Sequence, residues 1–363
     1  MSIPSTTSAL VIESKAKIVL KEVAAPRLRD DYVLVKTSAV ALNPTDWKGA
    51  EGLVGSPIGT RVGCDYAGVV LAVGPKVKQD FKVGDRIAGG AHGSNQAELE
   101  DGAFAGVIAV KPDIAFKIPD SVSDQDAATF GLITTTVGLS FYHTVGLGLN
   151  RPSNPLSSPE AILIYGGASA TGLIGIQFAK LAGYKVITTA SAHNADYLKT
   201  LGADAVFDYH DSEAALASIK AELAGQPLKY AWDCVSFAET GEFCAKALAF
   251  SAPDVTKLEY VSLLPLDFPA LTKIDARINA RYVFYYTAFG EAFEKWGPVS
   301  ADKEALDFAR EFWVQTSDLI ASGTLKAPRA YVNRGGAGLE GVLVGLQELK
   351  ANKVSAGKLV YTL

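Results

Sequence analysis

The sequence has little cysteine, histidine or methionine: its 363 residues include three Cys, four His and one Met. The cysteines, Cys64, Cys234 and Cys244, are scattered and indicate neither a disulfide framework nor a clustered metal site; we interpret them as buried and inert. No segment reaches the roughly 18 consecutive apolar residues that a membrane-spanning helix needs, and the N-terminal residues lack the pattern of a signal peptide. The sequence therefore predicts a soluble, cytoplasmic protein with no membrane partner.

The sequence also lacks an excess of positive charge. Its formal net charge is −5, and charged residues make up 20% and apolar residues 48% of the chain. This composition is typical of a globular protein without long disordered regions. The negative charge argues against nucleic acid as a partner. The length is sufficient for two domains with a large core.

The pattern of apolar residues divides the chain into two kinds of region. In the first third, short β segments separated by Gly, Pro and Asp predict a β-rich domain. After a connection rich in Pro, Ser and Asn at 149–161, strands alternate with helices, which indicates βαβ units and a parallel sheet. The C-terminal stretch is predicted to rejoin the first domain. We therefore assign 1–158 and 297–363 to the β-rich domain and 159–296 to a nucleotide-binding domain.

A glycine-rich segment, YGGASATGLIG, follows the apolar run AILI and precedes a helical pattern. It keeps the first and last glycines of the G-x-G-x-x-G fingerprint, Gly167 for a tight turn and Gly172 for close packing of the helix on the strand, whereas Ser169 replaces the middle glycine. Hydroxyls at the positive end of a helix can bind a pyrophosphate. The alternative is a plain strand-to-helix turn. The predicted phosphate ligands are Gly167, Ser169, Ala170, Thr171 and Gly172.

The end of the second strand of this region, KVITTA, indicates which nucleotide binds. A free ribose 2′-hydroxyl is usually held by an acid about 20 residues after the glycine-rich loop, but no carboxylate stands at this strand's tip, and Asp196 lies past it. Ser191, His193 and Asn194 can donate hydrogen bonds to a 2′-phosphate, and Lys199 can add charge. A capping role for Ser191 or Asn194 is compatible with this. The cofactor predicted is NADPH rather than NADH.

Several segments, in order, resemble the medium-chain dehydrogenase/reductase superfamily. They are AVALNPTDWKG (39–49), GCDYAGVVLAVGPKVKQDFKVGDRIAG (63–89) and the glycine-rich loop. The resemblance implies an α/β protein with a GroES-like β-rich catalytic domain and a Rossmann domain, a doubly wound parallel sheet. Cys64 stands where zinc-dependent members have a His, His92 and His143 are isolated, and no cysteine cluster follows. We therefore expect no metal, and zinc-free members reduce activated C=C bonds or quinones.

Within that branch the chain resembles the fungal trans-acting enoyl reductases that serve polyketide synthases. The matching motifs are YGGASAT (165–171), TASAHN (189–194), FDY (207–209), WDC (232–234) and VSAGKLV (354–360). The resemblance implies hydride transfer from NADPH to the β-carbon of an α,β-unsaturated thioester, carried on a polyketide synthase. The alternatives are a quinone or enone reductase of the detoxifying type and a non-catalytic NADPH-binding protein.

The same resemblance implies roles for individual residues. Lys48 is expected near the nicotinamide or the substrate carbonyl, the alternative being a surface lysine. Thr136 is expected beside the nicotinamide carboxamide, the alternatives being a helix cap or an exchange of roles with Thr134 or Thr135. Tyr209 is expected on the adenosine side, unless it is a core tyrosine. The other cofactor contacts expected are Pro44, Thr45, Asp46, Ser262, Leu263, Ser355 and Lys358.

Two features are left open by the residues. No side chain stands out as the proton donor to the α-carbon; His143 and Tyr142 are candidates only by type, and water is the alternative. The segment RYVFYYTA (281–288) is expected as the edge strand of the Rossmann sheet, through which superfamily dimers pair. Pro298 and the insert at 289–296 favour a monomer instead.

Overall fold

The computed structural model describes residues 3–55 and 58–363, which form two compact units. The first unit extends to Thr135 and resumes at Tyr286–Leu363, and the second unit is Thr136–Tyr285.

The strands, in chain order, are β1 (Thr6–Ser14), β2 (Lys17–Ala24), β3 (Val33–Ala41), β4 (Asp65–Val73), β5 (Arg86–Gly90), β6 (Val107–Val110), β7 (Ala115–Lys117), β8 (Ala161–Tyr165), β9 (Lys185–Thr189), β10 (Ala205–Phe207), β11 (Leu228–Asp233), β12 (Leu258–Ser262), β13 (Ile278–Tyr282), β14 (Phe293–Glu294), β15 (Pro298–Val299), β16 (Ala330–Val332) and β17 (Lys358–Thr362). The helices are α1 (Pro44–Ala50), α2 (Asp124–Ala127), α3 (Gly131–Tyr142), α4 (Ala170–Leu181), α5 (Ala195–Thr200), α6 (Ser212–Leu223), α7 (Ala238–Leu248), α8 (Phe268–Ile274), α9 (Lys303–Ala321) and α10 (Gly338–Lys350).

The first unit is built on a seven-stranded sheet. Its strand order is β16-β17-β3-β4-β5-β7, with β6 paired to β3, and β1 and β2 form a separate antiparallel pair. The long strand β3 is buried at most positions, because it pairs with β4, β6 and β17. The pairing of β17 with β3 confirms that the C-terminal stretch rejoins the first part of the chain.

The helix α9 shows how the C-terminal part of this unit is shaped by its sequence. Its buried positions, which recur every three to four residues as an amphipathic helix requires, are Ala305, Ala309, Phe312, Trp313, Thr316 and Ile320. The side chain of Asp302 caps the helix by accepting a hydrogen bond from the backbone N–H of Ala305 at 2.9 Å. Phe116 stacks on Trp313 with ring centroids 5.6 Å apart, which ties α9 to β7.

The second unit contains a six-stranded parallel sheet in the order β10-β9-β8-β11-β12-β13. Numbered within the unit, this is the order 3-2-1-4-5-6 of a dinucleotide-binding fold, in which ligands bind at the carboxyl ends of the strands where the order reverses, here between β8 and β11. The prediction of βαβ units and a parallel sheet is confirmed. β8 is buried at every position, as expected of a central parallel strand.

The edge strand of this sheet differs from the prediction. The strand is β13, which within the described residues pairs with β12 alone and ends at Tyr282, and residues 285–289 form a short 3₁₀ helix. The expectation of a strand over 281–288 is therefore wrong in its bounds. The expected monomeric state and the domain boundaries given above stay predictions. No helix in the described part of the chain has the length and hydropathy needed to cross a membrane.

Candidate functional site

The turn after β8 is where the sequence predicts a phosphate. Gly166 adopts a φ of 83°, so it, and not Gly167 as expected, provides the left-handed step of the turn. A side chain at Gly167 would bring its Cβ within 2.2 Å of Thr188 Oγ1 on β9. A Cβ at Gly172 would lie 2.5 Å from the carbonyl oxygen of Gly166. Both glycines are needed because other atoms of the turn and of β9 approach them too closely for a side chain.

Ser169 begins the helix α4 that follows this turn. Its side-chain oxygen accepts a hydrogen bond from the backbone N–H of Gly172 at 3.0 Å, so the residue that replaces the middle glycine is the helix N-cap. The same hydroxyl also forms a side-chain hydrogen bond with Cys234. Ala170 and Thr171 are the first helical residues, whose backbone N–H groups lack helical partners by position. The structure thus presents N–H and hydroxyl donors at the positive end of α4.

The tip of β9 carries the predicted 2′-phosphate ligands. Ser191 is partly exposed, His193 is exposed and Asn194 is buried. Neither the Ser191 nor the Asn194 side chain caps the helical turn that follows it in the described structure. The carboxylate of Asp208, a residue of the FDY motif to which no role was assigned from the sequence, accepts a hydrogen bond from the backbone N–H of Ala192 at 3.2 Å. This residue follows β10, so the acid next to the site comes from a neighbouring strand and not from the tip of β9.

Tyr209 lies beside that acid. It is 38% exposed, so the alternative of a core tyrosine is wrong. Its ring stacks on His210 with centroids 4.4 Å apart, and His210 Nδ1 pairs with the Asp208 carboxylate at 2.5 Å. The hydrogen bonds with His210 hold the pKa of Asp208 below its usual range. An exposed ring at the carboxyl edge of the sheet is available for stacking on a base.

The tips of β11 and β12 are joined by buried hydrogen bonds. Ser262, which ends β12, donates to the carbonyl oxygen of Leu264 at 2.8 Å, and the backbone N–H of Leu263 donates to Ser236 Oγ at 2.8 Å. Asp233, at the end of β11, accepts from the backbone N–H of Ser236 at 2.8 Å. The predicted positions Ser262 and Leu263 therefore stand at the end of a strand, as expected, in a turn fixed by hydrogen bonds.

In the first unit, the segment NPTDWKG folds into the short helix α1. Pro44 occupies the first turn, and the buried carboxylate of Asp46 accepts the backbone N–H of Asn43 at 2.7 Å. Asp46 is 2% exposed, and burial raises its pKa to about 7. Thr45, between them, is partly exposed.

Lys48 lies one turn further along α1. It is half-buried, and among the described residues no carboxylate or hydrogen-bond acceptor pairs with its ammonium, which lies 5.8 Å from the ring centroid of Trp47. Burial lowers the pKa of Lys48. An ammonium that is partly desolvated and has no ion-pair partner is suited to bind an oxygen that becomes negative during a reaction.

Lys358, predicted at the cofactor, takes part in a buried ion pair. Its ammonium donates to the carboxylate of Asp65, to Asn43 Oδ1 at 3.0 Å and to the carbonyl oxygen of Thr129 at 3.3 Å. The side chains of Lys358 and Asp65 are 1% and 0% exposed. The three N–H donors of the ammonium are thereby used within the protein. Asp65 also accepts the backbone N–H of Leu132 at 2.5 Å, so the pair joins β17, β4, α1 and the start of α3.

A second buried cluster, which the sequence analysis missed, surrounds Tyr286. His92 stacks on its ring with centroids 4.6 Å apart, and Lys295 Nζ lies 4.2 Å from the ring centroid. The hydroxyl of Tyr286 is 2.8 Å from Thr45 Oγ1 and 3.8 Å from Cys64 Sγ. Burial lowers the pKa of Lys295 to about 8 and holds the pKa of His92 well below its ordinary value. We name the set His92, Tyr286 and Lys295 the Tyr286 cluster.

The threonines of α3 differ in their surroundings. Thr135 accepts the indole N–H of Trp313 at 3.0 Å and donates to the carbonyl oxygen of Gly131, a structural role. Thr136 is 5% exposed and lies inside the helix, which begins at Gly131, so the alternative that it caps the helix is wrong. Its contact with a nicotinamide stays a prediction. Ser355 is exposed, and its carbonyl oxygen accepts the hydroxyl of Tyr331 at 2.9 Å.

Burial shifts the pKa of the three cysteines and of Tyr142, one of the two suggested proton donors. Cys64 and Cys244 are buried as expected, whereas the residue Cys234 is partly exposed, so the expectation is wrong for Cys234. Burial of the sulfur atoms raises the pKa of all three thiols. Burial likewise raises the pKa of Tyr142, whose ring packs against Phe141. Over the described residues, no group of three or more His, Cys, Asp or Glu side chains is placed to hold a metal ion.

The buried carboxyl group of Asp46 gives a prediction for stability. Its folded-state pKa of about 7 lies above the ordinary 3.8, so the stability it contributes is present at low pH and is lost as the pH rises through 7. We expect Asp46→Asn, which cannot ionise, to remove about 3–4 kcal/mol of the fall in unfolding free energy between pH 4 and pH 8. Urea unfolding of both proteins across this range measures the difference.

A second buried acid titrates over the same pH range and serves as an internal control. Burial also raises the pKa of Asp101 to about 7, so part of the fall must remain in the Asp46→Asn variant. Identical pH profiles for the two proteins would show that the Asp46 carboxyl is not the titrating group.

Family models match two parts of the chain. A model described as an alcohol dehydrogenase GroES-like domain matches residues 29–120, and a model described as a zinc-binding dehydrogenase matches residues 170–253. The first match covers α1 and the strands around Asp65, and the second covers α4 and the strands that follow it. Both agree with the architecture described above.

Curated proteins match nearly the whole chain. The trans-enoyl reductase resD of Aspergillus sclerotiorum is 40% identical over 353 residues, which cover 93% of this chain and 94% of that protein. The trans-enoyl reductase ACTTS2 of Alternaria alternata is 39% identical, covering 98% of each. The trans-enoyl reductase TOXD of Cochliobolus carbonum is 45% identical over 268 residues, or 74% of this chain and 85% of that protein.

Solved structures agree in fold at lower identity. An alcohol dehydrogenase superfamily protein from Novosphingobium aromaticivorans has a TM-score of 0.77 at 23% identity, covering 99% of this chain and 100% of that one. The CurK enoyl reductase has a TM-score of 0.76 at 18% identity and covers 99% of both chains. At these identities the likeness shows the shared fold.

Proposed function

We propose that the chain, which belongs to the trans-enoyl reductase family, transfers a hydride from NADPH to the β-carbon of an α,β-unsaturated thioester held by a polyketide synthase. Family membership makes it an oxidoreductase that acts on a C=C bond with a nicotinamide cofactor. We propose three points beyond this: the use of NADPH, a thioester bound to a carrier, and the roles of individual residues. The observation that carries it is the partly buried ammonium of Lys48 on α1, which has no ion-pair partner among the described residues.

The second unit fits a dinucleotide. The close approaches at Gly167 and Gly172 leave the turn after β8 without side chains, and α4 offers the N–H groups of Ala170 and Thr171 together with the Ser169 hydroxyl. NADPH, when bound, supplies the hydride. In this proposal these groups hold the pyrophosphate, and Ser191, His193 and Asn194 hold the 2′-phosphate. Tyr209 lies against the adenosine side.

Lys48 acts on the oxygen of the substrate. When a hydride adds to the β-carbon, negative charge moves to the thioester oxygen, and a positioned cation stabilises that charge more than it stabilises the ground state. The desolvation that lowers the pKa of Lys48 also strengthens its interaction with such an oxygen. Thr136 is proposed to orient the carboxamide of the nicotinamide.

The substrate class is tested with the purified protein and two kinds of acceptor. NADPH oxidation is followed with a crotonyl pantetheine thioester, with the same acyl chain on an acyl carrier protein, and with a simple quinone. We expect turnover of the thioesters, faster on the carrier protein, and little turnover of the quinone. Turnover of the quinone alone would support the detoxifying reductase, and turnover of none of the three would support a non-catalytic nucleotide-binding protein.

The choice of NADPH gives a prediction at the tip of β9. The double variant Ser191→Ala/His193→Ala is expected to raise the KM for NADPH about tenfold, because it removes about 1.4 kcal/mol or more of hydrogen bonding to a 2′-phosphate. The KM for NADH should change little, since NADH has no such group. Steady-state kinetics with both cofactors measure the two values.

Asp208→Asn is the matched variant, and its expected effect on the KM for NADPH is opposite. Its carboxylate lies next to the same segment through Ala192, and its removal takes away a negative charge that repels a 2′-phosphate. We expect a lower KM for NADPH and an unchanged KM for NADH. A wild-type protein that uses NADH better than NADPH, with neither variant altering the ratio, would reject the NADPH proposal.

A further inference from the structure

The proposed reduction requires a proton at the α-carbon, and two hydroxyls that are distant in sequence lie next to each other at α1. Thr45 Oγ1 and Tyr286 Oη lie 2.8 Å apart, one on α1 and the other at the start of the returning segment. Tyr286 is 3% exposed and Thr45 is partly exposed, so the pair leads from the interior to the face of α1. We propose that Thr45 donates the proton to the α-carbon and that Tyr286 replaces it. This inference rests on the proposed function.

The position of Thr45 suits this role. It precedes Lys48 by three residues on α1, and residues with this spacing lie on the same side of a helix. Lys48 is proposed to bind the oxygen of the enolate, whose α-carbon is two bonds from that oxygen. The Thr45 hydroxyl and the Lys48 ammonium therefore project from the same side of α1, where one can act on the α-carbon and the other on the oxygen.

The surroundings of Tyr286 fix its ring and place a cation over it. His92 stacks on it at 4.6 Å and Phe293 lies at 5.9 Å, and both ring nitrogens of His92 lack hydrogen-bond partners among the described residues. The imidazole therefore acts as a neutral, flat packing surface. Lys295 Nζ lies 4.2 Å from the tyrosine ring centroid and donates to the carbonyl oxygen of Ser94 at 2.7 Å. It is the cation in this cluster.

The reduction consists of a hydride addition followed by a relay of protons. Hydride addition forms a C–H bond at the β-carbon, breaks the C=C π bond and leaves an enolate. The α-carbon takes the proton of the Thr45 hydroxyl while that oxygen takes the proton of Tyr286, and the C=O bond re-forms. The phenolate, stabilised by the nearby Lys295 ammonium, recovers a proton from water before the next cycle. Burial raises the pKa of Tyr286. The α-C–H group of the product thioester is nevertheless a weaker acid than a phenol, so the proton moves from the hydroxyls to the carbon.

The configuration at the α-carbon tests the path. In D2O, a 2-methyl-enoyl pantetheine thioester acquires deuterium at the α-carbon, and wild-type protein should give one configuration. We expect Tyr286→Phe and Thr45→Val to give a mixture of configurations and at least a tenfold lower rate, because bulk water then supplies the proton from either side. Thr45→Ser should recover most of the single configuration. A change in packing alone would lower the rate without randomising the α-carbon.

The controls separate this path from the proposed function. Tyr282→Phe removes a hydroxyl from an exposed tyrosine on β13 and should change neither rate nor configuration. If Tyr286→Phe and Thr45→Val both keep the wild-type rate and a single configuration, the path is wrong although the enzyme is an enoyl reductase. Absence of NADPH oxidation by the wild-type protein with every thioester would reject the proposed function and the path with it.

Discussion

Lys358→Met is expected to lower the free energy of unfolding by about 3–5 kcal/mol, the usual cost of removing one partner of a buried ion pair. The variant would leave the carboxylate of Asp65, which is fully buried, without its cation. It would also leave Asn43 Oδ1 and the carbonyl oxygen of Thr129 without their donor. Chemical denaturation followed by tryptophan fluorescence measures the loss.

A double variant is the matched control. In Lys358→Met/Asp65→Asn no charge remains in the site, and rotation of the Asn43 amide can restore its hydrogen bond with residue 65. Replacement of both partners of a buried pair is often close to neutral, so the double variant should regain more than half of the lost stability. If it is less stable than the single variant, the loss does not come from an unpaired charge.

Lys48→Ala is expected to reduce kcat for thioester reduction by about 10²–10³-fold, which is typical for loss of a group that stabilises an oxyanion. The effect should be mainly on kcat, with little change in KM, because the charge on the substrate oxygen develops only in the transition state. Lys48→Arg should retain part of the activity, since it keeps the cation but changes its geometry. Stopped-flow measurement of NADPH oxidation under single-turnover conditions gives the rates.

The control for this variant is Lys36→Ala. Lys36 is an exposed lysine on β3, and its loss should leave the rate unchanged. An increase in KM for NADPH with an unchanged kcat in Lys48→Ala would place Lys48 at the cofactor ribose instead of the substrate oxygen. An unchanged rate and KM would make it the surface lysine that the sequence left as the alternative.

Most of the fold could be predicted from the sequence because its signals are local. The central strand β8 is a continuous apolar run, and α4 follows a glycine-rich turn, so the βαβ pattern of the second unit was evident. The edge strand was misplaced because RYVFYYTA is rich in β-forming residues throughout. Only the structure shows that pairing with β12 ends at Tyr282 and that the chain then turns into a 3₁₀ helix.

The candidate site was predicted only where its residues are close in sequence. Pro44 to Lys48 and Gly167 to Gly172 form compact motifs. The partners of Thr45 and Lys358 lie 241 and 293 residues away, and no local pattern indicates such contacts. His92 and Lys295 are single residues of common types, so the Tyr286 cluster gave no signal.

The pairing of β17 with β3 has a consequence for synthesis on the ribosome. The second unit, Thr136–Tyr285, is continuous in the chain and can complete its sheet as soon as it has emerged. The first unit is interrupted by it, and until β17 has been translated Asp65 is an unpaired acid beside an incomplete sheet. The nucleotide-binding unit therefore folds first, and the unit that holds Lys48 and the Tyr286 cluster completes its fold last.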